Sequence, residues 1–151
     1  MSARSVVITA AVLFSLAASP ALATFFQQGP KLVGTGGVGT AEQGQSVAVS
    51  ADGNTAVVGG EGDNGNRGAV WVFTRSGSVW SQQGTKLVGT GASGTALQGC
   101  SVALSGDGNT AVVGGQADNA GAGAAWVYTR SGGVWSQQGA KLFGSGGVGT
   151  A

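Results

Sequence analysis

Ser46-Val47-Ala48-Val49-Ser50 alternates with period two, placing Val47 and Val49 on one face and small residues on the other, which predicts a crowded inner strand. Ala51-Asp52-Gly53-Asn54 follows as a tight-turn signal, and Thr55-Ala56-Val57-Val58-Gly59 reads as a strand buried on both faces. Gly60 to Arg67 is a loop of Gly, Asp and Asn. Ala69 to Thr74, rich in β-branched and aromatic residues, is predicted as a third strand. Ser76-Gly77-Ser78 then turns into Val79-Trp80-Ser81, and the more polar last strand runs toward Leu87. The pattern describes four antiparallel strands of about five to eight residues, graded from apolar to polar.

The same pattern returns. Gln27-Gln28-Gly29-Pro30-Lys31-Leu32 recurs as Gln82-Gln83-Gly84-Thr85-Lys86-Leu87 and as Gln137-Gln138-Gly139-Ala140-Lys141-Leu142, a period of 55 residues. Residues 27–81 and 82–136 agree at 40 of 55 positions, and a partial third copy covers 137–151. A period in this range with four short strands per unit is that of a propeller blade, graded from the axis to the rim. The expected fold is therefore all-β, with two complete blades of four antiparallel strands, about 46–89 and 101–144, and an unmatched strand near Lys31 to Val33. Closed propellers use about four to eight blades, so two leave an incomplete propeller or a fragment of one.

Three segments resemble a known repeat: Gly44-Gln45-Ser46-Val47-Ala48-Val49-Ser50, Asn54-Thr55-Ala56-Val57-Val58-Gly59-Gly60, and Gly68-Ala69-Val70-Trp71-Val72-Phe73-Thr74-Arg75-Ser76-Gly77. They are similar to the bacterial FG-GAP type, the broad family of integrin α-chain propellers. The resemblance implies a β-propeller and extracellular binding or cell adhesion. In that family the loop between the first two strands often holds an Asp-rich calcium site, but here it contains only Asp52, and Asp107 in the second copy. A calcium ion needs about six to eight oxygens, so no cofactor is expected and both loops read as hairpin turns; calcium stays an open alternative that lacks its Asp-rich motif.

Composition narrows the chemistry. The 151 residues include no His and one Cys, which excludes Ser-His-Asp and Cys-His catalysis and Cys-rich metal clusters. Seven basic residues against six acidic ones, scattered along the chain, give no footprint for nucleic acid or anionic lipid. Thirty-one glycines without a Gly-X-Y period indicate many tight turns. At the N-terminus, Arg4, the apolar run Val6 to Ala18 and the Ala21-Leu22-Ala23 ending read as a signal peptide over 1–23. No later segment is long enough to span a bilayer, so the expected product is secreted or held at the cell surface, extracellular or periplasmic.

Candidate binding residues cluster in the second loops: Glu61, Asp63 and Asn64 in one repeat, Asp118 and Asn119 in the other, where Gln116 replaces Glu61. Loop carboxylates and amides on a rigid frame suit recognition of a protein or a sugar hydroxyl, although Asp and Asn are also ordinary turn formers. Trp71 and Trp126 are expected between neighbouring blades, Trp80 and Trp135 near the outer strand, and Arg75 and Arg130 beside Ser-Gly turns. Cys100, aligned with Gln45, has no second cysteine in the chain to pair with. The expected function is a non-enzymatic repeat module for protein or glycan binding, with self-association through exposed blade edges. A carboxylate-based propeller hydrolase or lyase and a purely structural envelope protein are the alternatives. Glu42 and Glu61, which lack acidic mates, would be the marks of the enzyme.

Overall fold

The structure, a computed structural model, describes residues 26–145. The expected signal peptide over 1–23 and residues 146–151 of the partial third repeat lie outside the described residues.

Alternating side chains and turn residues produce two four-stranded antiparallel sheets. The first runs β1 (Ser46–Val49), β2 (Thr55–Gly60), β3 (Ala69–Ser76) and β4 (Val79–Gln82), each strand beside its sequence neighbour. The second repeats that order with β5 (Gln98–Leu104), β6 (Thr110–Gly115), β7 (Ala124–Ser131) and β8 (Val134–Gln137). The register repeats as well: Val57 faces Val72 and Val58 faces Trp71 in one sheet, as Val112 faces Val127 and Val113 faces Trp126 in the other. Each β1–β2 type turn is held by its aspartate. Asp52 accepts bonds from the Ser50 hydroxyl at 2.5 Å and the Asn54 N–H at 2.9 Å, and Asp107 repeats both with Ser105 and Asn109.

The sheets stack face to face because the continuous apolar runs of β2 and β3, and of their mates β6 and β7, put apolar side chains on both sides of each sheet. Val57, Val70 and Val72 project from the first sheet onto Ala111, Val113, Trp126 and Tyr128 of the second, forming the main core with Ala96. The other face of the first sheet presents Ala69, Trp71 and Phe73, covered among the described residues by Leu32, Ala41 and other residues of its own repeat. Trp126 thus fills the space between sheets, whereas its mate Trp71 lies under the N-terminal segment. The Tyr128 hydroxyl, where the first repeat has Phe73, is buried without a hydrogen-bond partner, and burial pushes its pKa up.

Two features depart from expectation. β1 is not crowded: Val47 and Val49 are 68% and 59% exposed, because among the described residues no sheet covers the face they project from. Lys31 to Val33 forms no strand. Its mate Leu87 bonds to Val70 and thereby extends the outer edge of the preceding sheet, and Leu142 does the same at Ala125. Among the described residues no sheet precedes Lys31 to Val33. Among the described residues the two sheets close into no barrel or ring.

Candidate functional site

Both second loops lie at the sheet end where β2 and β6 finish and β3 and β7 begin. Each contains a one-turn segment, α1 (Asp63–Asn66) and α2 (Asp118–Gly121), but the turn is left-handed in its middle. Asn64 and Gly65 have φ of 51° and 65°, followed by Asn66 at 68°, while Asn119 and Ala120 have 52° and 56°. Consecutive residues in this region are costly for L-amino acids, Asn and Gly least so, and persist where surrounding bonds over-determine them.

Those bonds come from Asp63 and Asp118. Neither carboxylate faces solvent: both residues are buried. Asp63 accepts from the Val38 N–H at 2.7 Å and from the Lys86 ammonium at 2.5 Å. Asp118 accepts from the Ser93 N–H at 2.7 Å and from Lys141 Nζ. The contacts are completed by the Asn64 N–H donating to Val38 O and the Asn119 N–H to Ser93 O. Burial alone would push the Asp118 carboxyl up, but the bonds from Lys141 and Ser93 and the lysine charge outweigh it and hold the pKa below its ordinary value. The two aspartates expected to meet a ligand are therefore internal clips that pin the entry loops to the left-handed turns. Removing one would leave a half-buried lysine without its partner rather than delete a surface contact.

The residues left at the rim are Asn64 and Asn119, both exposed, and Glu61, half-buried. Asn64 and Arg67 border a cleft of about 250 Å³ between the repeats, whose other wall is the backbone of Gly89 to Ala92. Arg67 carried no expectation from sequence, since its mate is Ala122. Asn119 borders a second cleft, of about 410 Å³, with Asp118, Lys141 and Phe143. Glu61 borders neither cleft.

Recurring glutamines hold this rim in place. The Gln43 amide pairs with both backbone groups of Gly34, at 2.6 and 2.8 Å, and Gln98 does the same at Gly89. Glycine is required there, since a Cβ on Gly34 would come within 2.0 Å of the Trp71 ring. Gln82 and Gln137 accept from the Thr35 and Thr90 N–H groups. At the opposite end of the sheets, Arg75 and Arg130 lie 5.6 and 5.4 Å from the ring centres of Trp80 and Trp135. Gln28 and Gln83 accept from the same guanidinium and indole pairs. Both arginines are thereby paired locally. The repetition of Gln-Gln-Gly-x-Lys-Leu was the available signal for Lys86, Lys141 and these clamps.

For a metal, the donors do not converge: among the described residues no three His, Cys, Asp or Glu side chains come together. Asp52 is drawn down to a pKa of about 2 by the Ser50 hydroxyl and then by the Asn54 N–H, and Asp107 is lowered in the same way by Ser105. Cys100 is half-buried with a free thiol. Among the described residues no helix is long and apolar enough to cross a membrane. No family model matches the chain, and no curated protein matches it.

Proposed function

We propose that the chain is a non-enzymatic, exported repeat module, its two sheets being blades of the β-propeller type, which recognises an extracellular protein or glycan at its rim. The observation that carries this reading is the inter-repeat cleft bordered by Asn64 and Arg67, at an end of the sheets where the loops are pinned rather than loose. A pre-ordered loop loses little entropy on binding, and an exposed amide beside a guanidinium offers donors and an acceptor to hydroxyls, carboxylates or a backbone. The cleft is small against the 300–1,000 Å³ of typical small-molecule pockets, which suits a single sugar or one side chain of a larger partner. The use of the carboxylates also favours binding over turnover. Of six acidic residues, Asp52 and Asp107 close turns and Asp63 and Asp118 pair with lysines, leaving Glu42 and Glu61.

The test is a glycan array and an extracellular-protein panel probed with the wild type and with Asn64→Gly/Arg67→Ala, glycine being free to keep the left-handed backbone at position 64. The substitutions touch exposed residues and should leave the fold unchanged while weakening any captured ligand at least about tenfold. Binding that is indifferent to both would overturn this location for the site, and turnover of a polysaccharide lost in Glu42→Gln or Glu61→Gln would establish the enzyme instead.

A further inference from the structure

The two repeats are nearly identical in sequence, yet equivalent residues are buried unequally. Val57 is fully buried and its mate Val112 is 39% exposed; Val47 is 68% exposed whereas its mate Val102 packs on the core. The difference has one source. The first sheet offers one face to the second, so among the described residues no other sheet meets the far side of either. These far sides are not two arbitrary surfaces. The bare face of the second sheet is the repeat mate of the surface on which that sheet itself sits, and the bare face of the first is the mate of the surface that sits there.

The internal interface also has a polar pattern with vacant mates. Between the repeats, the Leu97 N–H donates to Asn66 O at 3.0 Å, the Gln98 N–H to Arg67 O at 3.1 Å, and the Ser46 hydroxyl to Gly99 O at 2.7 Å. The corresponding acceptors at the far end, Gly121 O and Ala122 O, and the Ser101 hydroxyl make no such bond among the described residues. The corresponding partners, Glu42, Gln43 and Gly44, lie at the opposite end of the same chain. The 410 Å³ cleft bordered by Ala122, Gly123 and Phe143 occupies the place where, one repeat earlier, Gln98 lies against Arg67 and Gly68.

We propose that a second copy of this chain docks head to tail, its Val47/Val49 face and Glu42-Gln43-Gly44 segment seated on the Val112 face and the Ala122 cleft of the first. The contact reproduces the internal one: Glu42 and Gln43 N–H groups donate to Gly121 O and Ala122 O, and the Ser101 hydroxyl to Gly44 O. The linker equivalents 138–143 of one copy and 28–33 of the other would claim the same place. The second gives way, since it forms no ladder, and Gln138 then takes the position that Gln28 holds at Arg75. Because the two surfaces differ, the interface is heterologous and each docked copy still presents one free face, so association extends or closes into a ring. This interface is independent of the ligand assigned to the rim.

The test is sedimentation velocity on the purified protein over a hundredfold concentration range, with Val47→Asp and Val112→Asp. Both positions are exposed in a single chain, so the variants should fold, which circular dichroism checks. The wild type is expected to associate with rising concentration, and each variant to lose at least about a hundredfold in association constant, because a charge would be buried unpaired. An equimolar mixture is expected to recover a one-to-one dimer and nothing larger, since each variant retains the face that the other lacks. A monomeric wild type throughout, association that survives both substitutions, or a mixture no heavier than its parts would overturn the proposal.

Discussion

At the scale of single residues, Asp118 shows how far a side chain's role depends on what lies across the loop from it. Its composition context, Gln116-Ala117-Asp118-Asn119, is that of an exposed turn, and nothing local distinguishes a carboxylate waiting for a ligand from one already bonded. The deciding partner, Lys141, lies 23 residues downstream. The acid response follows from the same bonds. The folded-state pKa of Asp118 lies below the ordinary 3.8, as do those of Asp52 and Asp107, so their contribution to stability is complete above that value and is lost as pH falls through the folded-state values. There is no histidine to titrate at higher pH. Thermal melts should therefore be level between about pH 5 and 8 and fall from about pH 4 toward pH 2. Asp118→Asn should lower the plateau and make the acid decline shallower. An unchanged acid profile in that variant would remove the ion pair from the account.

At the scale of elements, the strands were legible because alternation and turn chemistry are local. β2, β3 and the Asp-Gly hairpins fall where the continuous apolar run, the β-branched and aromatic residues and the turn residues put them. What was not legible was coverage. Alternation assigns Val47 and Val49 to one face but cannot say whether another sheet lies on it, and Lys31 to Val33 reads as a strand only if a sheet precedes it. The left-handed turns were hidden for a related reason: they are held by bonds that Asp63 and Asp118 make to residues distant in sequence, Val38 and Lys86 in one loop and Ser93 and Lys141 in the other. Gly65 suits that backbone and Ala120 does not, although both occupy the same place in the repeat. Ala120→Gly should thus stabilise the protein by up to about 1 kcal/mol, read as a rise in denaturation midpoint without a change in slope. Destabilisation by that amount would mean that the turn is not left-handed in solution.

At the scale of the whole molecule, the account rests on two equivalent sheets, one covering the other, the first left bare on its far side where Val47 and Val49 project and the second where Val112 does. The resemblance to FG-GAP repeats suggested blades, and the fold supplies two four-stranded antiparallel sheets in the same order and register. What the proposed assembly turns on is the pair of sheet faces that the described residues leave without another sheet. The most direct measurement compares two substitutions in the identical strand sequence Thr-Ala-Val-Val-Gly-Gly: Val57→Ala and Val112→Ala, each by chemical denaturation at a concentration too low for association. The stacked arrangement predicts a loss of about 2 kcal/mol for Val57, sealed between the sheets, and under about 1 kcal/mol for Val112 on the bare face. Equal losses at the two positions would contradict the stacking.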